Sequence, residues 1–308
     1  MRSILFPGQG SQSVGMGKEF CDTFSTARHT FEEANDALGM NLTDVIFNGP
    51  QDLLTLTENT QPALVTVSIA VLRTILCELK KPIEEICSYT AGHSLGEYAA
   101  LCASGVVDFQ DAVRLVKKRG QAMQTAVPVG VGAMAAVIGL DHDQIENVLA
   151  NIPDCVIAND NSPGQIVISG TVNAVQHATP LLQEAGAKRV LGLPVSAPFH
   201  SPLMKVAADV MADALADVHF KKPVVSIVPN VLATPVKDAD FKKLLVDQIC
   251  GRVRWRESIL ALNEHGVTNY VECGAGKVLQ GLNKRIVPEA NIQSVNTPAD
   301  LDTFLKSM

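Results

Sequence analysis

The sequence predicts an α/β fold: a parallel sheet wrapped by helices, with a smaller ferredoxin-like subdomain inserted into it. Three observations carry that reading. Short apolar runs alternate with helical patterns before residue 128 and after residue 195, the order that builds a parallel sheet. Between those limits the order is β-α-β-β-α-β, the split βαβ pattern. Finally, AGHSLGEYAA at 91–100 sets Gly92, Ser94 and Gly96 as G-x-S-x-G between an apolar run and a helical one. The expected division is a larger body of 1–127 and 196–308 and an inserted subdomain of 128–195.

Taken in order, Ser3 to Phe6 predicts a strand that Pro7 and Gly8 end. Phe24, Ala27, Phe31, Ala34 and Leu38 recur at helical spacing and predict a helix over 22–38. The most apolar segment, Pro62 to Leu79, contains Arg73 and falls short of the roughly 20 apolar residues of a membrane span. It is expected to be a buried helix with Pro62 in its first turn. Ile86 to Ala91 predicts a strand, followed by a helix over 95–104 that Gly105 closes. Asp108 is the expected cap of a helix running to Thr125, which Val127-Pro128 stops. In the insertion, strands are expected at 132–139, 155–158, 165–169 and 188–193, with helices at 141–150 and 172–185. A loop holding Pro194, Pro198 and Pro202 follows. Beyond it come helices at 203–218, 239–249 and 256–265 and strands at 224–228 and 268–272.

Composition narrows the function. The 308 residues are 47% hydrophobic and 19% charged, as in a globular protein with a large core. A net charge of −7 offers no basic field for nucleic acid. Seven cysteines, an odd number without a C-x-x-C, give neither a disulfide framework nor a zinc site. They are expected to act as small buried hydrophobes in a reducing cytoplasm. The start, MRSILFPGQG, lacks the features of a signal peptide. A cytoplasmic monomer without metal, nucleic-acid or membrane partner is the expectation.

A strand–G-x-S-x-G–helix turn displays its serine at a helix N-terminus, where unpaired N–H groups favour negative charge. Ser94 is therefore the candidate nucleophile, and the Leu95 N–H would face an oxyanion forming beside it. The alternative is a tight turn with a surface serine. Of seven histidines, His200 stands apart, because it sits in the apolar, proline-clamped loop VSAPFHSP. His142 and His177 have polar neighbours and are expected on solvated faces, and His93 is expected to point away from Ser94. No acid is placed to complete a triad, so a Ser–His dyad is expected, with a backbone carbonyl fixing the imidazole tautomer. Ala112, Leu115, Val116, position 119 and Met123 form one apolar helical stripe, and position 119 is arginine. Arg119 either finds an internal salt bridge, snorkels to solvent, or waits as a fork for a substrate carboxylate. Arg114, Lys117 and Lys118 lie off the stripe and are expected to be solvated.

Together these motifs resemble the malonyl-CoA:acyl-carrier-protein transacylases of bacterial fatty-acid synthesis over nearly the whole chain. The markers are FPGQGSQ at 6–12, TQPAL at 60–64, GHSLGE at 92–97, KKRGQAM around Arg119, NSPGQIVISG at 161–170, APFHS at 197–201 and GAGKVLQGL at 274–282. The resemblance implies an α/β-hydrolase-like body, with the insertion as a lid. It implies Ser94 as nucleophile, His200 as base, and the N–H groups of Gln9 and Leu95 as oxyanion hole. Arg119 would pair with the malonyl carboxylate, and Gln61 would be a pocket glutamine. The Gln248 carbonyl would hold His200, although Ile249-Cys250-Gly251 departs from the family pattern. Asn161 would lie near the cleft mouth. Phe199, beside the histidine, would favour malonyl over a branched extender. The implied chemistry is ping-pong transfer from malonyl-CoA to the phosphopantetheine thiol of acyl carrier protein, with no bound cofactor. Lys188-Arg189, Arg252 with Arg254, and Lys277 with Lys284-Arg285 are the candidate docking patches for an acidic carrier.

Three rivals remain. An esterase or thioesterase shares the serine turn but has no use for Arg119. A nucleotide binder is suggested by Gly15-Met16-Gly17-Lys18 and Gly274-Ala275-Gly276-Lys277, yet neither fits G-x-x-x-x-G-K-[ST]. A non-catalytic scaffold would not need Ser94, His200 and Arg119 together.

Overall fold

The computed structural model describes residues 1–195 and 197–308. Its strands, in chain order, are β1 (Arg2–Phe6), β2 (Tyr89–Gly92), β3 (Gly132–Ile138), β4 (Cys155–Ser162), β5 (Gln165–Thr171), β6 (Arg189–Gly192), β7 (Ser226–Val228), β8 (Asn269–Cys273) and β9 (Asn291–Val295). One sheet has the order β7-β2-β1-β8-β9, and every pairing in it is parallel. The other has the order β4-β5-β3-β6 and is antiparallel throughout. With helices His142–Leu149 and Val172–Glu184 between its strands, the second sheet is the ferredoxin-like arrangement expected from the sequence. The proposed boundary at 195/196 touches Ser196, which lies outside the described residues.

The parallel sheet is buried on both faces, as crossover helices require. Along β1, Ile4 and Phe6 enter the core shared with Ser25–Leu38, Thr57–Leu79 and Phe109–Thr125, while Leu5 points to the opposite core under Trp255–Glu264 and Val278–Ile286. That alternation is the strand's two-residue period at work. Because β1 pairs with β2 on one side and β8 on the other, the loops after β1 and β2 emerge side by side at the carboxyl ends of the strands. A crevice there is where open α/β sheets place their ligands.

Several local expectations need correction. The 22–38 helix is two helices, Lys18–Thr23 and Ser25–Leu38, because Phe24 is extended with its N–H still bonded to Phe20. The long apolar helix starts at Thr57, so Pro62 lies inside it rather than in its first turn. This helix is long and apolar enough to cross a membrane, but nearly all of its first nineteen residues are buried in the body. Strand β2 begins at Tyr89; Ile86 ends a single 3-10 turn. Asp108 does not cap the Phe109–Thr125 helix with its side chain; its carboxylate takes the Lys221 ammonium instead, at 2.7 Å. Lys117 is half-buried against Glu58 at 3.0 Å rather than solvated. Of the seven free cysteines, Cys21, Cys87, Cys155 and Cys273 are buried, Cys102 and Cys250 partly so, and Cys77 is exposed.

Candidate active site

The site begins with a crowded turn. A Cβ on Gly92 would lie 1.9 Å from the Gly96 carbonyl, and one on Gly96 would lie 2.4 Å from the Phe6 carbonyl. Only glycine permits the chain to fold back this closely between β2 and the Gly96–Ala103 helix. Ser94, between them, is held at φ +52°, a left-handed conformation that side chains rarely adopt. His200 is also left-handed, at φ +57°. Its loop is braced by Pro198, which packs so tightly on Gly132 that a Cβ there would sit 2.1 Å from the proline ring. Ser201 Oγ donates to the Pro198 carbonyl at 2.7 Å.

These two strained residues meet. Ser94 Oγ lies 2.8 Å from His200 Nε2. His200 Nδ1 faces two carbonyls, Gln248 at 2.9 Å and Gly251 at 3.1 Å. Carbonyls only accept, so Nδ1 carries the proton and Nε2 is left to receive one from Ser94. No carboxylate completes a triad among the described residues within bonding distance of His200. Burial, reinforced by the Arg119 charge, pushes His200 down to about 3, so the imidazole is neutral at ordinary pH, with Nε2 free to accept.

Arg119 is buried to 1% exposure. Its Nη1 donates to Gln61 Oε1 at 2.9 Å; its Nη2 donates to Gln248 Oε1 at 2.9 Å and to Ser94 Oγ at 3.2 Å. All three acceptors are neutral, and its Nε has no partner among the described residues. The Tyr98 ring lies 6.0 Å from the guanidinium. Neither snorkelling nor an internal salt bridge describes this arginine. A buried cation whose hydrogen-bond acceptors are all neutral keeps its charge free to pair with an anion entering the site.

A cavity of about 110 Å³ opens over these groups. Gln61, Ser94, Arg119 and His200 form its polar side, and Met123, Met134, Leu193, Val195 and Phe199 its apolar side; Gln9, His93 and Asn159 complete it. Met134 and Leu193 belong to the ferredoxin-like sheet and the chain leaving it, so the two sheets close on one cavity. The N–H groups of Gln9 and Leu95 bond to no acceptor among the described residues. Gly8 presses on the His93 carbonyl, where a Cβ would come within 2.7 Å, so the loop carrying Gln9 rides directly over the serine turn.

Other residues are placed less simply. Asn161 is not part of the cavity lining: its Oδ1 takes His93 Nε2 at 2.7 Å, while Asn159 lines the space. His93 points away from Ser94, as expected, with its ring 5.6 Å from Trp255. His142 is not on a solvated face; it contacts Arg252 and Asp143. Among the candidate docking patches, Arg252 and Arg254 pair with Glu257, Lys277 with Asp300, and Arg285 bonds Gln165. Lys188 and Arg189 are exposed on and beside edge strand β6. Sequence reasoning missed Asn230, whose Oδ1 accepts the Ser94 N–H at 2.7 Å and whose Nδ2 donates to the Gly92 carbonyl at 2.7 Å. It also missed Glu97, buried beneath the turn. A carboxylate in the apolar helix GEYAALCA was the signal that could have found it.

Comparison with known proteins bears on this geometry. Residues 4–295 match the model of a family described as "Acyl transferase domain". The chain is 44% identical to the malonyl CoA-acyl carrier protein transacylase of Bacillus subtilis, over 99% of this chain and 96% of the relative. It is 43% identical to that of Escherichia coli K12, over 99% and 98%. Among solved structures, an acyl-carrier-protein-S-malonyltransferase from Bartonella henselae superposes with a TM-score of 0.96 at 47% identity, covering 99% of this chain and 98% of that one. A malonyl-transacylase in complex with a type II PKS acyl-carrier protein superposes at 0.94 with 42% identity, covering 100% and 99%.

Proposed function

The chain belongs to the acyl transferase family, in its malonyl CoA–acyl carrier protein transacylase branch, and from that premise we propose how its residues carry the malonyl group. Ser94 Oγ attacks the thioester carbonyl of malonyl-CoA while His200 Nε2 takes its proton. The N–H groups of Gln9 and Leu95 receive the oxyanion. His200 returns the proton to the departing CoA thiolate, which leaves malonyl-Ser94. The phosphopantetheine thiol of acyl carrier protein then attacks, with His200 again as base, and the malonyl thioester departs for fatty-acid chain elongation. Two half-reactions through one covalent intermediate make the kinetics ping-pong. Gln61 and Gln248 hold the Arg119 fork, and Phe199 crowds a branched acyl group at the cavity wall. Residues 128–195 form the inserted subdomain that covers the site. Every step uses groups of the chain and its two substrates. A cytoplasmic, monomeric enzyme is part of the same reading, as is carrier docking near Lys188 and Arg189.

The observation that carries the proposal is Arg119, a buried cation with neutral partners 3.2 Å from the candidate nucleophile. An esterase needs no such group. The test follows the radiolabelled malonyl group with and without phosphopantetheinylated carrier. Transfer to the carrier, greatly reduced in Arg119→Ala, is expected. Release of free malonate at the same rate with or without the carrier would make the protein a hydrolase.

A further inference from the structure

Beneath Ser94, four polar groups form a chain in which each donor and acceptor has only one workable orientation. Arg119 can only donate. The carboxyl of Glu97 offers Oε2 as acceptor to the Asn230 backbone N–H at 2.9 Å and to Gln248 Nε2 at 2.7 Å. Gln248 therefore lies between a donor-only guanidinium and an acceptor. Its Oε1 must face Arg119, at 2.9 Å, and its amino group must face Glu97 and the Ser94 carbonyl, at 3.0 Å. The reverse orientation would set N–H groups against N–H groups and oxygen against oxygen. Asn230 is fixed in the same way, since its Oδ1 accepts from the Ser94 N–H and its Nδ2 donates to the Gly92 carbonyl.

Glu97 is 1% exposed, lies on the helix that follows the nucleophile and touches none of the cavity. A buried carboxyl is costly, and its Oε1 has no partner among the described residues. Burial accordingly raises this carboxyl to about 7. Oε2 can accept in either protonation state, with any proton on Oε1.

We infer that Glu97 is a positioning residue, whose Oε2 fixes the direction of the Gln248 side-chain amide and thereby aims the Arg119 guanidinium into the acyl cavity. The same oxygen, through the Asn230 backbone, secures the loop that receives the Ser94 N–H. This inference rests on the reading of Arg119 as the malonyl fork. It goes beyond that reading by assigning acyl selectivity to a residue that never meets substrate.

The test is single-turnover acylation of Ser94 by malonyl-CoA and by acetyl-CoA, read as a ratio in wild type, Arg119→Ala, Glu97→Ala and Glu97→Gln. Arg119→Ala marks the ratio with the fork removed. Leaving the buried Gln248 amino group without its acceptor is expected to lower the Glu97→Ala ratio about tenfold towards that mark. Glu97→Gln keeps a carbonyl at the Oε2 position and is expected to stay within about threefold of wild type. A merely structural loss would slow both substrates alike and leave the ratio unchanged. If Glu97→Ala does not fold, Gln248→Leu keeps the carbonyl that holds His200 but deletes the amide, and the same fall in ratio is expected. A wild-type ratio in folded Glu97→Ala or in Gln248→Leu, or an equal loss in Glu97→Gln and Glu97→Ala, overturns the inference. Wild type that takes no malonyl, or that loses no preference for malonyl in Arg119→Ala, overturns the fork reading itself.

Discussion

At the residue scale the site is built from departures from local pattern, and these made much of it legible. Ser94 is flanked by glycines at a helix start, His200 is clamped by prolines, and Arg119 interrupts an apolar stripe. Asn230 was not legible, because its partners lie 136 and 138 residues away and only the fold brings them together. His200 yields a pH prediction. Burial and the Arg119 charge hold it at about 3, whereas the unfolded chain protonates near 6.5. Neutral His200 thus persists as pH falls through 6.5, and Ser94 labelling by a fluorophosphonate is expected to keep its rate there. The stability that this depressed group contributes is present above 6.5 and is lost as pH falls towards 3. Stopped labelling across pH, beside chemical unfolding, checks both. An acid limb of labelling centred at 6.5, as for an ordinary histidine, contradicts the assignment.

Elements place those residues through close backbone contact. The Phe109–Thr125 helix crosses the start of Thr57–Leu79 at Gly120, where a Cβ would lie 2.6 Å from Glu58 Cα and 2.7 Å from the Thr57 carbonyl. Neither contact is a flexible side chain that can give way. Gly120→Ala is expected to push the helices apart, cost about 1–3 kcal/mol in chemical unfolding and displace the adjacent Arg119 from Gln61. A rise in KM for malonyl-CoA at pH 7 should accompany it; unchanged stability and KM would show that the contact yields freely. The sequence predicted the Phe109–Thr125 helix well, because its apolar stripe is regular. It did not predict β9, whose NIQSV mixes polar and apolar residues at the sheet edge, nor the helices Leu42–Asn48, Gln51–Thr55, Val278–Ile286 and Pro298–Lys306. The first two are only seven and five residues long, too short for a helical period to emerge.

Across the whole molecule, the antiparallel sheet is tied to the segment leading into the Trp255–Glu264 helix, where β4 runs along Val253. Asp160 N–H donates to the Val253 carbonyl at 2.9 Å, and Val253 N–H to that of Ala158 at 2.8 Å. Arg256 forks onto the fully buried Asp160 carboxylate, with Nη2 at 2.7 Å. One residue further, Asn161 Oδ1 holds the ring of His93, the neighbour of Ser94, at 2.7 Å. The joint therefore anchors β4, whose Asn159 lines the cavity with Ser94. Removing one member of a buried pair strands the other, so Arg256→Ala is expected to cost about 2–4 kcal/mol in urea unfolding, tempered by the arginine's partial exposure. A loss below about 0.5 kcal/mol would mean that Asp160 finds water instead.

All three scales converge on one bond, the ester that Ser94 is expected to form. The most direct measurement is the intact mass of the protein after brief mixing with malonyl-CoA, wild type beside Ser94→Ala. One added malonyl group is expected on wild type, none on Ser94→Ala, and its removal from wild type by phosphopantetheinylated carrier. An unmodified wild type that still transfers malonyl, or an adduct that persists in Ser94→Ala, would contradict it.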